Sequence, residues 1–331
     1  MEACVNSECG ITEYPELDPC RLCPRACGAD RRGGRAGVCH ADAALRVGRA
    51  ALHMWEEPCI SGSTGSGAVF FAGCALGCVY CQNRALTEPG SGTAISVQRL
   101  SEIFLELQEQ GAANINLVTG DHYVLHAADA IRAARENGLC IPVVWNCSGY
   151  ESARCLEILN GLIDIYLTDF KYIRPETAAK YSRAADYPET AKAALREMVR
   201  QCPVPEFVSA GMMRKGVIVR HLLLPGHVNE AKEIIHYLLT EYGQKIYISL
   251  MNQYTPQAGI SGERFPELKR KVTKREYGSL VQYALDCGLE NGFIQEGGTA
   301  EESFIPAFDG TGVYQGAGEK DRIRAAEKSG S

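Results

Sequence analysis

Short runs of β-branched and other apolar residues alternate along most of the chain with longer amphipathic segments. This alternation predicts β/α units that build a parallel sheet. Ser96 is placed to cap one of the predicted helices. The predicted strands are residues 68–72, 115–119, 141–146, 163–169, 217–223 and 246–251. The predicted helices are residues 96–110, 124–136, 151–160, 191–200, 229–239 and 274–287.

Six β/α units are too few for a closed eight-stranded barrel. The fold class that they predict is α/β, a partial (β/α)6 TIM-like barrel with a small Cys-rich N-terminal module. Ligands of such sheets bind at the carboxyl ends of the strands. We therefore expect the residues that directly follow the strands to form the functional site.

The first 60 residues differ in composition from the rest of the chain. They are dense in glycine, arginine and cysteine and show weak hydrophobic periodicity, which is typical of a small module held together by metal. The sequence SGSTGSG has the composition of a linker and is the expected joint. The predicted domains are a Cys-rich N-terminal module (1–60), a barrel (61–290) and a C-terminal extension (291–331).

The charge balance and the cysteine count narrow the choice of partners. With 34 basic and 40 acidic residues, the net charge of −6 argues against nucleic acid and anionic membranes, although the Arg-rich stretch 21–49 keeps an RNA partner open. No signal peptide or membrane-spanning run is visible, so we expect a cytoplasmic protein. A reducing cytosol disfavours disulfides, and the 15 cysteines therefore indicate metal ligands or redox chemistry.

Three cysteines follow the first predicted strand with the spacing Cys74-x3-Cys78-x2-Cys81. The strand delivers Cys74 to the edge where a barrel builds its site. Three thiolates would hold three irons of a 4Fe-4S cluster and leave the fourth iron open to a ligand. The alternative is a zinc ion held by the three cysteines and a distant fourth ligand.

The loop GCALGCVYCQN, with aromatic Tyr80, resembles the signature of the radical S-adenosylmethionine (SAM) superfamily. The resemblance implies a 4Fe-4S cluster on Cys74, Cys78 and Cys81 that reductively cleaves S-adenosyl-L-methionine to a 5′-deoxyadenosyl radical. It also implies an electron donor such as flavodoxin or ferredoxin. Tyr80 and Asn83 are candidate cofactor contacts in the same loop.

A second group of cysteines, the N-terminal cysteine set, comprises Cys20, Cys23, Cys27 and Cys39. Four thiolates can close a zinc site, and an auxiliary iron-sulfur cluster uses the same ligands. The third alternative is a set of reduced thiols packed in a small subdomain. Spacing alone leaves the three open.

Polar residues end the later strands and are candidate contacts of SAM or substrate. The family often carries Gly-Gly-Glu after the second strand, where this chain has Thr119, Gly120 and Asp121; a plain turn is the alternative. Asn146 and Ser148 follow the third strand, where helix capping by Ser148 is the alternative. Four further candidates are Asp169, Lys171, Arg220 and Asn252.

The strand endings LTDFKY and VIVRHLLLPGH resemble those of glycyl-radical activating enzymes, so Arg220 is a candidate partner of a carboxylate. Upstream, Cys59 and Glu57 are candidate catalytic groups, a hydrogen-atom donor and a base. The alternative there is a structural plug built around Trp55.

The resemblance implies a radical SAM oxidoreductase of the branch related to pyruvate formate-lyase activating enzyme. Such an enzyme would take a hydrogen atom from a glycyl residue of a partner protein. The alternatives are radical modification of a small molecule or of RNA, and a non-catalytic iron-sulfur or zinc scaffold. The chain departs from the activating enzymes in its amino-terminal cysteines and in lacking Gly-Gly-Glu.

Overall fold

A computed structural model of the chain describes residues 14–257, 259–295 and 306–314. Within them, strands of mostly buried residues alternate with amphipathic helices. The strands are β1 (Arg46–His53), β2 (Ser66–Phe71), β3 (Thr93–Ala94), β4 (Ile115–Val118), β5 (Val143–Cys147), β6 (Ile165–Asp169), β7 (Glu206–Phe207), β8 (Met213–Leu222), β9 (Tyr247–Met251) and β10 (Gly292–Ile294).

Apart from the first, the helices pack against the sheet and against one another. Ser96 caps α2, as the sequence predicts, by accepting a hydrogen bond from the Arg99 N–H. The helices are α1 (Pro58–Ser61), α2 (Val97–Glu109), α3 (Val124–Glu136), α4 (Ala153–Leu159), α5 (Pro175–Ser182), α6 (Tyr187–Gln201), α7 (Val228–Tyr242) and α8 (Lys274–Asp286). None in the described part of the chain is long and apolar enough to cross a bilayer.

The strands form one sheet in the order β10-β9-β8-β6-β5-β4-β2-β1-β3, with β7 paired to the start of β8. The run from β2 to β10 is parallel, and β1 and β3 form an antiparallel edge. The predicted α/β fold with a parallel sheet is confirmed, and β2, β4, β5, β6, β8 and β9 correspond to the six predicted strands.

The sheet begins upstream of the boundary that the sequence predicts at residue 60. β1 pairs along its length with β2, with His53 opposite Ser66, so residues 46–53 belong to the barrel wall. The predicted joint 61–67 is partly strand, because β2 starts at Ser66. Residues 14–45 pack across α3: the Tyr14 hydroxyl donates to Asp129 at 2.8 Å.

A short helix closes the barrel interior at the amino ends of the parallel strands. Because β1 runs antiparallel to β2, its last residue lies at the start of β2, and α1 follows there. Side chains of alternate strand positions meet α1 inside the barrel. This floor cluster consists of Cys59, Ile60, Val144, Ile165, Leu167, Met213 and Ile218.

Residues 306–314 run beside β1 on the open side of the partial barrel. The Ala50 N–H donates to the Thr311 carbonyl at 2.9 Å, and Gly310 donates to Gly48 at 3.0 Å. Phe308 packs edge-on against Phe70, with ring centroids 5.4 Å apart. Gly312 has φ +73°, and a Cβ there would lie 1.9 Å from the Ala50 carbonyl oxygen, so this contact requires glycine. The predicted extension thus contributes to the barrel, while most of it lies outside the described residues.

Buried Asn114 holds α1 in place. Its amide donates to the Ile60 carbonyl at 2.7 Å and its oxygen accepts from the Ser66 hydroxyl at 2.6 Å. Asn114→Ala leaves both partners buried without a bond, at about 1–3 kcal/mol for each group. We expect a lower midpoint of thermal unfolding by circular dichroism. Asn160→Ala, at an exposed position, is the control, and an equal midpoint for both variants would contradict this account of the floor.

Candidate functional site

A cavity of about 1230 Å³ lies at the carboxyl ends of the parallel strands. Its volume exceeds the range of about 300–1,000 Å³ that is usual for small-molecule sites. Many of the residues that the sequence singles out line this cavity together. They are Cys27, Cys74, Cys78, Tyr80, Cys81, Asn83, Thr119, Asn146, Ser148, Asp169, Lys171 and Arg220.

The three cysteines of residues 74–81, the cluster loop, project from the turn after β2. Gly73 and Gly77 bend the chain there with φ of +89° and +65°. All three cysteines are free thiols and partly exposed to the cavity. They can therefore bind an external group without first breaking a disulfide.

The electrostatics of the cluster loop favour a bound cation. Burial raises the pKa of Cys74 far above its usual range, and the charges of Asp121 and of the two other thiols raise it further. Burial and Cys78 raise the pKa of Cys81 to about 11, which Lys171 partly opposes. Without a cation, the thiols of Cys74 and Cys81 would stay protonated near neutral pH. A metal group would supply the positive charge that turns them into ligands.

The donor set fits a 4Fe-4S cluster better than a single ion. A structural zinc ion takes four ligands, and the cluster loop offers three. A cluster places each thiolate on a different iron, so its thiols need not converge on one point. Ser182 donates a hydrogen bond to the Cys78 sulfur at 3.1 Å and supports that ligand from outside.

Aromatic side chains support the cluster loop from behind. Tyr80 is 6% exposed, and its hydroxyl accepts a hydrogen bond from Tyr172 at 2.7 Å. The rings of Tyr181 and Tyr254 lie edge-on to Tyr80 at centroid distances of 6.2 and 6.4 Å. Tyr80 is therefore a rigid support for the loop as well as a lining residue.

The three predicted contacts in the turn after β4 lie in different environments. Thr119, with φ +60°, lines the cavity. Gly120 packs against Trp145, where a Cβ would lie 2.8 Å from the indole ring. Asp121 is buried beside His122, with 3.3 Å between carboxylate and ring nitrogen. The structure thus brings Thr119 to the cavity and places Asp121 behind the cluster loop.

The neighbouring strand ends place a charged pair in the cavity. Lys171 and Asp169 form an ion pair with partly exposed side chains. Burial tends to lower the pKa of Lys171, but Asp169, Cys78 and Cys81 outweigh it, so the pKa is raised and the ammonium stays charged. Near the end of β9, Gln253 lines the cavity, while the Asn252 backbone N–H donates to the Gln295 side chain at 3.0 Å.

Arg220 is the centre of a buried ion cluster beneath the cavity. Its guanidinium bonds both Glu56 and Glu57, with 2.6 and 2.8 Å to the Glu57 oxygens. The three side chains are 5–11% exposed. The side-chain amide of Asn116 donates to a Glu56 carboxylate oxygen at 2.8 Å, and it therefore helps Arg220 to stabilise that carboxylate. The carboxylate partners of Arg220 are therefore residues of this chain.

The two candidate catalytic groups, Glu57 and Cys59, lie in or below this ion cluster. Burial tends to raise the pKa of Glu57, but the charge and hydrogen bonds of Arg220 hold it below its usual range. Cys59 is part of the apolar floor cluster, where burial and then the charge of Glu57 raise its pKa to about 12. The structure does not bring Cys59 to the cavity with the cluster loop.

The N-terminal cysteine set gathers around a second, small cavity of about 10 Å³, directly behind the cluster loop. The Cys74 N–H donates to the Cys39 carbonyl at 3.0 Å. Arg25 donates to the carbonyls of Ala75 and Leu76 at 2.9 and 3.1 Å. The two cysteine-bearing loops are thus joined by one backbone hydrogen bond and by the side chain of Arg25.

Sequence reasoning selected Glu57 as the candidate base instead of its neighbour Glu56, and it missed Arg25. Glu56 lines the cavity and bonds Arg220, but in the sequence it is one of two adjacent glutamates. Arg25 lies between Cys23 and Cys27, and a charged residue inside a cysteine motif was the available signal. Only the fold brings it to residues 50 positions away.

Comparison with known proteins yields one family model, described as Radical SAM superfamily, which matches residues 68–238. An uncharacterized protein of Methanocaldococcus jannaschii is 25% identical over 278 residues, which cover 82% of this chain and 75% of that protein.

Two solved structures match parts of this chain at low TM-scores. SuiB of Streptococcus suis, bound to S-adenosylmethionine, has a TM-score of 0.43 and 11% identity over 67% of this chain. The FeFe-hydrogenase maturase HydG of Carboxydothermus hydrogenoformans has a TM-score of 0.39 and 14% identity over 69%. The matches span only 48% of SuiB and 58% of HydG.

The buried ion cluster predicts a pH-dependent loss of stability in Arg220→Met. The variant leaves the carboxylates without their cation, at about 3–5 kcal/mol near neutral pH. In the wild type, the low pKa of Glu57 stabilises the fold above the unfolded pKa, and this contribution is lost as pH falls through the folded pKa. In the variant, Arg220 no longer opposes the effect of burial, and the pKa of Glu57 is raised. Protonation of Glu57 at lower pH then removes the cost of burying an unpaired carboxylate.

We therefore expect the unfolding midpoint of Arg220→Met to lie furthest below that of the wild type near pH 8 and closer to it near pH 5. Arg154→Met, which removes a half-exposed guanidinium, is the control and should change the stability by about 0–1 kcal/mol without this trend. A deficit that is constant with pH would show that Arg220 acts through packing alone.

Proposed function

Because this chain belongs to the radical SAM superfamily, we propose that it is an enzyme that cleaves SAM reductively and takes a hydrogen atom from a peptide segment of a partner protein. The family implies a 4Fe-4S cluster and SAM as cofactors. When bound, these cofactors would supply the one-electron cleavage of the S–C5′ bond of SAM, which gives methionine and a 5′-deoxyadenosyl radical able to take a hydrogen atom from the substrate.

The observation that carries the proposal is the set of three free thiols on one loop at the rim of the large cavity. Cys74, Cys78 and Cys81 would hold three irons, which leaves one iron for a ligand from the cavity side. A closed electron-transfer centre uses four protein ligands, so three favour a site that binds a cofactor. Lys171 sits beside two of the thiols and balances their negative charge.

The polar strand ends are the groups that would bind SAM. Asn146, Ser148 and Thr119 offer hydrogen-bonding groups on one wall of the cavity. Asp169 and Lys171 offer opposite charges on the next wall, suited to the amino and carboxylate groups of an amino acid. Glu56 and Arg220 form the polar base below them. These residues orient the cofactor and limit the access of water.

The size of the cavity supports a substrate beside the cofactor. A volume of about 1230 Å³ is larger than one drug-sized ligand needs. Charged side chains of both signs line it, among them Arg25, Arg183 and Arg264 as well as Glu56 and Asp169. Such a lining suits the polar backbone of a peptide, in line with the activating-enzyme branch that the strand endings resemble. The electron would come from a flavodoxin- or ferredoxin-like donor.

The Cys74→Ala/Cys78→Ala/Cys81→Ala variant tests SAM cleavage. Both proteins are reconstituted anaerobically with iron and sulfide and then given SAM and dithionite. We expect the wild type to release 5′-deoxyadenosine, measured by chromatography, and the variant to give only the background of a mixture without protein. Cys140→Ala/Cys287→Ala removes two exposed thiols elsewhere and should retain the activity. A wild type with an intact cluster and no nucleoside product would refute the proposal.

A separate assay tests the substrate class. A glycyl-radical enzyme is incubated with the reconstituted protein, SAM and reductant, and electron paramagnetic resonance follows its glycyl radical. We expect a radical that forms only when this protein is present, in step with 5′-deoxyadenosine. Cleavage of SAM that is stimulated by small metabolites, with no radical on any glycyl-radical enzyme tried, would overturn the peptide substrate and favour a small molecule.

A further inference from the structure

We propose that the N-terminal cysteine set binds a single zinc ion, separate from the cluster of the cluster loop. The proposal concerns metal binding and does not depend on the reaction of the enzyme. Cys20, Cys23, Cys27 and Cys39 all line one cavity, although they span 20 residues of irregular chain. All four are free thiols.

The backbone of the set is folded so that the sulfurs face the same space. Cys20 and Gly28 are tied by a hydrogen bond of 3.0 Å from the Gly28 N–H to the Cys20 carbonyl. Gly37 lies between two of the sulfurs: a Cβ there would be 3.3 Å from the Sγ of Cys27 and of Cys39. Any side chain at position 37 would therefore crowd the space that the thiols surround.

A buried cation beside the set indicates that an anion belongs there. Arg31 is 1% exposed. Its hydrogen bonds among the described residues go to the carbonyls of Asp42 and His122 and, at 3.7 Å, to the sulfur of Cys20. Buried charges are normally paired. A zinc ion with four thiolates carries a net charge of −2 and would place that charge beside Arg31, which already contacts the Cys20 sulfur.

The size of the small cavity favours one ion over a cluster. About 10 Å³ is close to the space of a single water-sized atom, whereas a cubane cluster contains eight. Four thiolates are the usual shell of structural zinc. The described thiols are not yet arranged as ligands of one ion, so binding would draw them closer and order the turns that carry them.

Zinc at this position would also stabilise the cluster loop. The carbonyl of Cys39 accepts the Cys74 N–H, and Arg25, between two ligands of the set, bonds the carbonyls of Ala75 and Leu76. A metal that fixes Cys23, Cys27 and Cys39 therefore fixes the partners of the cluster loop. The set would act as a positioning element for the first cluster.

The test uses the full chain with Cys74, Cys78 and Cys81 replaced by alanine, so that any metal bound reports on the second site. The apoprotein is loaded with Zn²⁺ alone, desalted and analysed for metal. We expect about one zinc per chain, and at least about a tenfold loss of zinc when Cys20→Ala and Cys39→Ala are added. Adding Cys140→Ala and Cys287→Ala instead should leave the zinc content unchanged.

A conservative variant tests the zinc site in a protein that keeps its fold. Cys27 is exposed, so Cys27→Ser should fold, which circular dichroism checks. With Co²⁺ as probe, the parent should show the absorption of tetrahedral thiolate coordination, and Cys27→Ser should lose part of the sulfur-to-cobalt intensity.

Two outcomes would overturn the proposal. One is zinc or cobalt binding that is indifferent to these substitutions. The other, after loading with iron and sulfide, is about four irons with acid-labile sulfide held by the N-terminal cysteine set, which would make it a cluster site. Neither outcome bears on SAM cleavage, which is measured in the chain with an intact cluster loop.

Discussion

Cysteines bind a metal group as thiolates, and in the cluster loop burial opposes the ionisation of two of the three. Burial and mutual repulsion hold the pKa of Cys74 far above neutral pH and that of Cys81 at about 11. The surrounding structure meets this constraint in two ways. It keeps the sulfurs open to the cavity so that a metal group can enter, and it places the ammonium of Lys171 beside them. The parallel sheet is what brings these groups to one edge.

The other end of the barrel interior, at the amino ends of the parallel strands, is closed to water and ligands. Helix α1 and the floor cluster fill it with apolar side chains, and the ion cluster of Arg220, Glu56 and Glu57 forms the transition to the polar cavity above. Two carboxylates around one guanidinium leave this base with an excess negative charge.

The sequence was sufficient for the repeating part of the fold and for the cluster loop. Alternation of apolar runs located six parallel strands because their residues are buried on both faces, and the cysteine spacing follows one of them directly. The sequence was insufficient where contacts between distant segments determine the structure. β1 is an arginine-containing strand of eight residues that is recognisable only by its pairing with β2. Thr119 and Asp121 are two positions apart, yet the positive φ of Thr119 redirects the chain and only Thr119 reaches the cavity.

The same limitation explains why the two cysteine groups appear independent in the sequence and adjacent in the fold. Thirty-five positions separate Cys39 from Cys74, but a backbone hydrogen bond of 3.0 Å joins them. The Arg25 guanidinium donates hydrogen bonds to the carbonyls of Ala75 and Leu76. It also donates to the carbonyls of Ser182 and Arg183, and the Ser182 hydroxyl in turn bonds the Cys78 sulfur. A displacement of residues 20–39 would therefore be transmitted to the sulfurs of the cluster loop through one main-chain hydrogen bond and through the guanidinium of Arg25. The amino-terminal segment is thus structurally part of the site, wherever its domain boundary is drawn.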